Sequence, residues 1–339
     1  MLINKIVSEL KKGFSFPKKY FLKDRIQKKL MTLVYGVNIE TTNICNANCI
    51  FCAYQHQTRS MGIMDKELFN KIVDEYSKLG GGTLGLTPTV GEPLADKFIL
   101  DRISYARKYS NINKIGFYSN LISVKNFGAE NIINSGLTDL VLSTSGFDEK
   151  MYERVYRSKQ YKKMFQNLVD LIKINNFKNN PVNITISMRS DKSETETRNL
   201  PDYIRLIKIL SPKKIDYKYR YDDWAGKIST LDLTGTMKLR NKNLTFRFSP
   251  CAEFFSGPHI YWNGDVGICG CRDVDAKELI IGNIKEKRLE EIWYNKNHQE
   301  LMNSFMNDPK DICKKCSHYN NISVLDTNLQ TAKMPETKL

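Results

Sequence analysis

Three cysteines, Cys45, Cys49 and Cys52, stand in the run ICNANCIFC as C-x3-C-x2-C, directly after a strand-like stretch. A tetrahedral zinc takes four ligands, so three thiolates from one short loop leave it one short. The same three can hold three corners of a 4Fe-4S cluster and leave the fourth iron open to another molecule, which makes that iron a reaction site. Buried apolar cysteines, or part of a zinc site, are the plainer readings of the triplet taken alone.

The other five cysteines, Cys251, Cys269, Cys271, Cys313 and Cys316, all lie late in the chain. YWNGDVGIC reads as a hairpin with Asn263 and Gly264 at its turn, carrying Cys269 back towards Cys251. A helix over 289–306 then returns the chain to the CKKC pair. Four thiolates so arranged can close around one metal centre, and zinc is an ordinary occupant of such a set. Cys271 is left over, as a small buried hydrophobe, a thiol near substrate, or a substitute for Cys269 as a ligand.

These loops need a scaffold, and from residue 33 the pattern alternates strand and helix. The expected strands are LVYGVNIETT, TLGLTPT, KIGFYSN, DLVLSTS, PVNITISMR and KIDYKYRY. After the first comes an amphipathic helix with Asp65 as its N-cap and Leu68, Phe69, Ile72, Val73, Tyr76 and Leu79 on one face. Helices over 98–109, 125–134, 149–176 and 194–210 follow the next four strands. Six strand-helix units predict an α/β fold, a partial parallel (β/α)6 barrel of TIM type, with a small cysteine-bearing domain after it. The expected boundaries are 1–32 for a basic extension, 33–228 for the barrel, 229–320 for the second cysteine domain and 321–339 for a tail.

In parallel barrels chemistry sits in the loops after the strands. The cysteine loop follows the first strand, Gly91 and Glu92 the second, and Asn120 the third. Ser143 and Ser145 end the fourth, and Arg189, a planar bidentate donor, ends the fifth. Arg220, Tyr221, Asp223 and Trp224, in YRYDDWAGKIS, stand near the expected mouth, to bind a polyol or to cap the barrel. Of the four histidines, His56 lies nearest this chemistry and reads as a surface residue.

The loop, with aromatic Phe51 just before its last cysteine, resembles that of the radical S-adenosylmethionine (SAM) enzymes, and the barrel pattern agrees. The resemblance implies that the open iron binds SAM and that one electron cleaves it to methionine and a 5'-deoxyadenosyl radical, which takes hydrogen from an unactivated carbon. It implies that Gly91 and Glu92 receive the SAM amino group, although Val90 stands where a glycine is common. Asn120 resembles the family's Thr-Asn-Gly turn, with Leu121 in place of the glycine. Ser143 and Ser145 fall where ribose and carboxylate contacts lie, and Arg189 where it could pair with the SAM carboxylate or with substrate.

The late cysteines resemble the SPASM and twitch extensions of the same enzymes. Five is too few for the seven of a full SPASM domain, whereas Cys251, Cys269, Cys313 and Cys316 match the twitch set for one auxiliary 4Fe-4S cluster. Such a cluster, fully ligated, accepts an electron. The expected activity is therefore a dehydrogenase acting on a sugar or cyclitol, with an external one-electron donor such as flavodoxin or ferredoxin. An epimerase using Cys271 as hydrogen donor, and a peptide-modifying enzyme, stay open as alternatives. Only some 32 residues precede the first strand, too few for a winged-helix leader-binding domain, which favours the carbohydrate.

Composition limits the remaining classes. The chain has 339 residues and a formal charge of +15. Part of the excess lies in a basic amphipathic stretch before residue 32, which would pack on the barrel or touch an anionic membrane surface. The charge also suits a phosphorylated or nucleotide-linked substrate. A zinc-containing nucleic-acid-binding protein is a remote alternative, because no RNA-binding motif or basic-aromatic stripe accompanies the charge. With no apolar export signal or transmembrane run at MLINKIVSELKKGF, eight cysteines point to metal ligation in a reducing cytoplasm.

Overall fold

The computed structural model describes residues 34, 36–240, 251–270, 272–305 and 307–320. The basic extension, the tail and Cys271 lie outside the described residues.

Six parallel strands form the barrel in sequence order: β1 (Gly36–Ile39), β2 (Thr83–Gly85), β3 (Lys114–Ser119), β4 (Asp139–Thr144), β5 (Asn183–Met188) and β6 (Ile215–Tyr217). Between them run α1 (Lys66–Lys78), α2 (Ile99–Ala106), α3 (Ala129–Asn134), α4 (Glu149–Tyr156), α5 (Tyr161–Phe177), α6 (Glu194–Arg198) and α7 (Pro201–Leu206). Burial alternates along the strands, because successive side chains point to opposite faces. Ile115 and Phe117 on β3, and Leu140 and Leu142 on β4, join the core shared with the helices. Asn38, Tyr118 and Ser143 fall on the other face and are half-buried or exposed. That polar face lines the barrel interior.

The helices follow their apolar stripes. Leu68, Phe69, Ile72, Val73 and Tyr76 are buried on α1, with Leu79 packed against the same core. Asp65 precedes α1 but makes no capping bond through its side chain. The helix expected over 194–210 is two, because Pro201 cannot continue α6 and instead opens α7 at its first turn.

The later segment adds β7 (Arg220–Tyr221) and β8 (Lys238–Leu239), paired only with each other, then α8 (Glu253–Ser256), β9 (His259–Ile260), β10 (Asp265–Gly267) and β11 (Ile280–Asn283). Helices α9 (Leu289–Trp293), α10 (Lys296–Ser304) and α11 (Asp311–Lys315) complete it. The expected hairpin is present, with Gly264 at positive φ in the turn between β9 and β10. Its placement was not legible locally. β9 pairs in parallel with β1, so the hairpin extends the barrel sheet, whose order is β11-β10-β9-β1-β2-β3-β4-β5-β6. Gly257 permits this join, since a Cβ there would stand 1.7 Å from the Gly36 carbonyl oxygen.

Candidate active site

The cysteine loop is held from three sides. The Asn48 and Ile50 amides donate to the carbonyls of Tyr156 and Val155 at the end of α4. Tyr156 stacks on Tyr152 at 4.9 Å and meets the Phe51 ring edge-on at 5.5 Å. Behind the loop, Arg59 donates two bonds to Glu40, at 2.6 and 3.0 Å, and a third to the Val274 carbonyl. Arg59 thus ties the chain after the first cysteines to the segment carrying the later ones.

Burial pushes the Cys45 thiol up to about 12, with the nearby charge of Glu92 adding to it. Cys49 is raised by burial and then by the charges of Cys52 and Cys45, so the three sulfurs are near enough to repel one another as thiolates. Such a set suits a polynuclear cationic group that holds them deprotonated. Among the described residues, no three His, Cys, Asp or Glu side chains converge as they would on a single metal ion.

The strand-end residues fall into two groups. Arg189 donates to Ser143 Oγ at 2.8 Å and lies 5.1 Å from the Phe51 ring centroid, so Phe51, Ser143 and Arg189 meet beside the loop. Gly91, Glu92 and Asn120 form the other group. A Cβ on Gly91 would come within 2.9 Å of the Thr42 carbonyl oxygen, and its φ of +144° favours glycine in any case. The Glu92 carboxylate is buried and accepts from Ser119 Oγ at 2.6 Å and from the Asn120 amide at 2.8 Å. Burial raises its pKa to about 7 against those bonds. Asn120 Nδ2 reaches the cysteine loop at Asn46 Oδ1, 2.7 Å away. Leu121 takes the left-handed conformation with φ +58°, one that glycine adopts more readily. Ser145 stands apart, its buried hydroxyl without a hydrogen-bond partner among the described residues. Val90 packs with Ala53 and Val274.

Cys251, Cys269, Cys313 and Cys316 line one cavity, together with Glu253 and Arg272. The Ala252 amide bond to the Asn320 carbonyl closes the segment on itself beside Cys251. A second cavity opens on the barrel interior, lined by Asn38, Thr87, Thr89, His259 and Trp224, and again by Glu253 and Arg272. Thr89 donates its one hydroxyl proton to the Gly270 carbonyl, so His259 Nε2, 2.9 Å from Thr89 Oγ1, must be the donor to it. Burial lowers the His259 pKa to about 3, which keeps the ring neutral.

Of the mouth residues, Trp224 and Tyr221 join the site. Tyr221 lies 5.6 Å from Phe51, and Trp224 lines the interior cavity. Asp223 is buried against Ser317, Arg220 is exposed, and so is His56. Asn38, Thr89, His259 and Arg272 were not foreseen. A polar residue at an inward strand position, as Asn38 is, was the available signal.

A sequence model of the radical SAM superfamily matches residues 39–198, and a model of the SPASM iron-sulfur cluster-binding domain matches residues 251–317. The chain belongs to the radical SAM superfamily. As a member, it has a SAM-binding 4Fe-4S cluster, S-adenosylmethionine and auxiliary iron-sulfur as its cofactors. It is 24% identical over 236 residues to the GTP 3',8-cyclase of Thermodesulfovibrio yellowstonii, covering 67% of this chain and 69% of that one. Its fold is similar to that of BtrN in complex with AdoMet and 2-DOIA, with a TM-score of 0.55 at 16% identity, covering 86% of this chain and 94% of that one. It is also similar to Streptococcus suis SuiB bound to precursor peptide SuiA, with a TM-score of 0.61 at 15% identity over 88% and 75% of the two chains. No helix among the described residues is long and apolar enough to cross a membrane.

Proposed function

We propose that this radical SAM enzyme is a dehydrogenase of a small polyhydroxylated substrate, a sugar or cyclitol. The observation that carries the reading is the pair of adjoining cavities: four cysteines line one, neutral polar groups line the other, and Glu253 and Arg272 line both. SAM on the first cluster supplies a radical that takes a hydrogen atom from carbon, and a fully ligated auxiliary cluster supplies an acceptor for one electron.

Cys45, Cys49 and Cys52 hold the first cluster, while Cys251, Cys269, Cys313 and Cys316 hold the second. Arg189, with Ser143 and Phe51, binds the SAM carboxylate and ribose side, and the Gly91–Glu92 loop with Asn120 receives the amino end. Asn38, Thr87, Thr89 and His259 offer hydrogen bonds suited to hydroxyl groups, and the Trp224 ring borders them. Oxidising an alcohol carbon also releases the hydroxyl proton. Glu253, a carboxylate on the wall between the cavities, accepts it. The BtrN complex, whose printed ligands are AdoMet and 2-DOIA, supports a small-molecule substrate.

The test is anaerobic turnover of candidate sugars and cyclitols with SAM and a one-electron donor. The reading expects 5'-deoxyadenosine together with a product lacking two hydrogens, and Glu253→Gln should slow product formation about 100-fold or more while SAM cleavage persists. Deuterium gained at carbon from heavy water with no net oxidation would overturn it in favour of epimerisation, and turnover of peptides alone would overturn the substrate class.

A further inference from the structure

Arg272 stands where the two cysteine sites approach each other. Its guanidinium lies 4.6 Å from the centre of the Trp224 ring. Trp224 in turn packs against the cluster of Ala53, Val90 and Val274, as Cys52 does, and its Nε1 donates to the carbonyl oxygen of Phe51, the residue before Cys52. On its other side Arg272 lines the cavity of Cys251, Cys269, Cys313 and Cys316. One cation therefore borders the second sulfur set directly and reaches the loop of the first through the Trp224 ring.

The position is fixed rather than adopted by a loose surface arginine. Arg272 Nε pairs with Asp222 Oδ1 at 2.5 Å, and the two side chains are only 11% and 8% exposed, so water screens them weakly. Asp222 is itself held by the Trp224 amide at 2.7 Å and by the Ser317 hydroxyl at 2.9 Å, next to Cys316. Asp222 does not line the cysteine cavity, whereas Arg272 does. The cationic end of the pair is thus the end turned to the sulfurs. The backbone supports the arrangement at a cost: Trp224 and Ala225 both have left-handed φ, +52° and +56°, in non-glycine residues.

We propose that Arg272 is a shared electrostatic positioning residue that holds both iron-sulfur groups at higher reduction potential than their thiolates alone would set. A fixed positive charge stabilises whichever form carries the extra electron, and from this place it acts on both centres together. The inference rests on the assignment of the two cysteine sets to clusters, and not on the substrate.

The experiment is a potentiometric titration, followed by electron paramagnetic resonance, of anaerobically reconstituted wild type, Arg272→Gln, Arg272→Lys and Asp222→Asn. Iron and sulfide are counted in each. Arg272→Gln should shift both clusters to more negative potential, Arg272→Lys should restore most of the shift, and Asp222→Asn should move both the opposite way. Unchanged potentials, or a shift in one cluster alone, would overturn the proposal. Should Arg272→Gln fail to load, the sign of the Asp222→Asn shift decides. Zinc in place of iron in the wild type would instead overturn the cluster assignment itself.

Discussion

The indole N–H of Trp224 donates to the carbonyl oxygen of Phe51 at 2.9 Å, joining the turn after the barrel to the loop of the first three cysteines. Residues 173 apart in the chain are thereby held in contact. Trp224→Phe keeps an aromatic ring but removes the donor, leaving a part-buried carbonyl unpaired. Denaturant unfolding should show a loss of about 1 kcal/mol, the usual worth of such a bond. Iron bound by the first cluster should also be lost faster on gel filtration than in wild type.

The buried pair of Arg59 and Glu40 makes a stronger link. Both side chains are nearly inaccessible, at 9% and 0% exposed. Arg59→Ala strands the Glu40 carboxylate in the interior, where burial already raises its pKa. We expect a loss of roughly 3–5 kcal/mol in chemical denaturation, the cost of breaking one partner from a buried pair. Replacing both, as Arg59→Met with Glu40→Leu, should cost much less.

Leu121 poses a choice between two effects. Leu121→Gly relieves a left-handed backbone strain of about 1–2 kcal/mol. It also deletes a side chain with 0% exposure, worth about 2–5 kcal/mol. Packing wins, so restoring the family's glycine should lower stability by about 2 kcal/mol. Equal or greater stability in thermal unfolding would mean that strain dominates.

His259 makes stability depend on pH. In the folded chain the buried ring stays neutral down to about 3, whereas in the unfolded chain it takes a proton below about 6.5. Its contribution is therefore complete above about 6.5 and is lost as pH falls towards about 3, at up to roughly 1.4 kcal/mol per unit. His259→Gln should flatten the slope of unfolding free energy over pH 4 to 6.5 by most of that amount. An unchanged slope would mean that the ring protonates in the folded state.

The local chemistry was legible wherever one short run carried it. Cys45, Cys49 and Cys52 needed only their spacing, the six barrel strands only their alternation with helices, and the turn at Gly264 only its Asn-Gly pair. The parallel join of β9 to β1 had no such signal, because pairing between strands more than 200 residues apart is decided by which edge stays open after the barrel has formed. Arg272 and His259 gained their places through that join. Leu121 shows the converse, a conformation kept although the residue that usually marks it is gone.

Two separate cluster sites with different duties can be tested together by counting iron in wild type, Cys52→Ala and Cys313→Ala after anaerobic reconstitution, with 5'-deoxyadenosine assayed alongside. Two 4Fe-4S sites predict about eight irons in wild type and about four in each variant. Cys313→Ala should still cleave SAM but form no oxidised product, and Cys52→Ala should do neither. Tightly held zinc with no SAM cleavage in wild type, or normal oxidised product from Cys313→Ala, would contradict it.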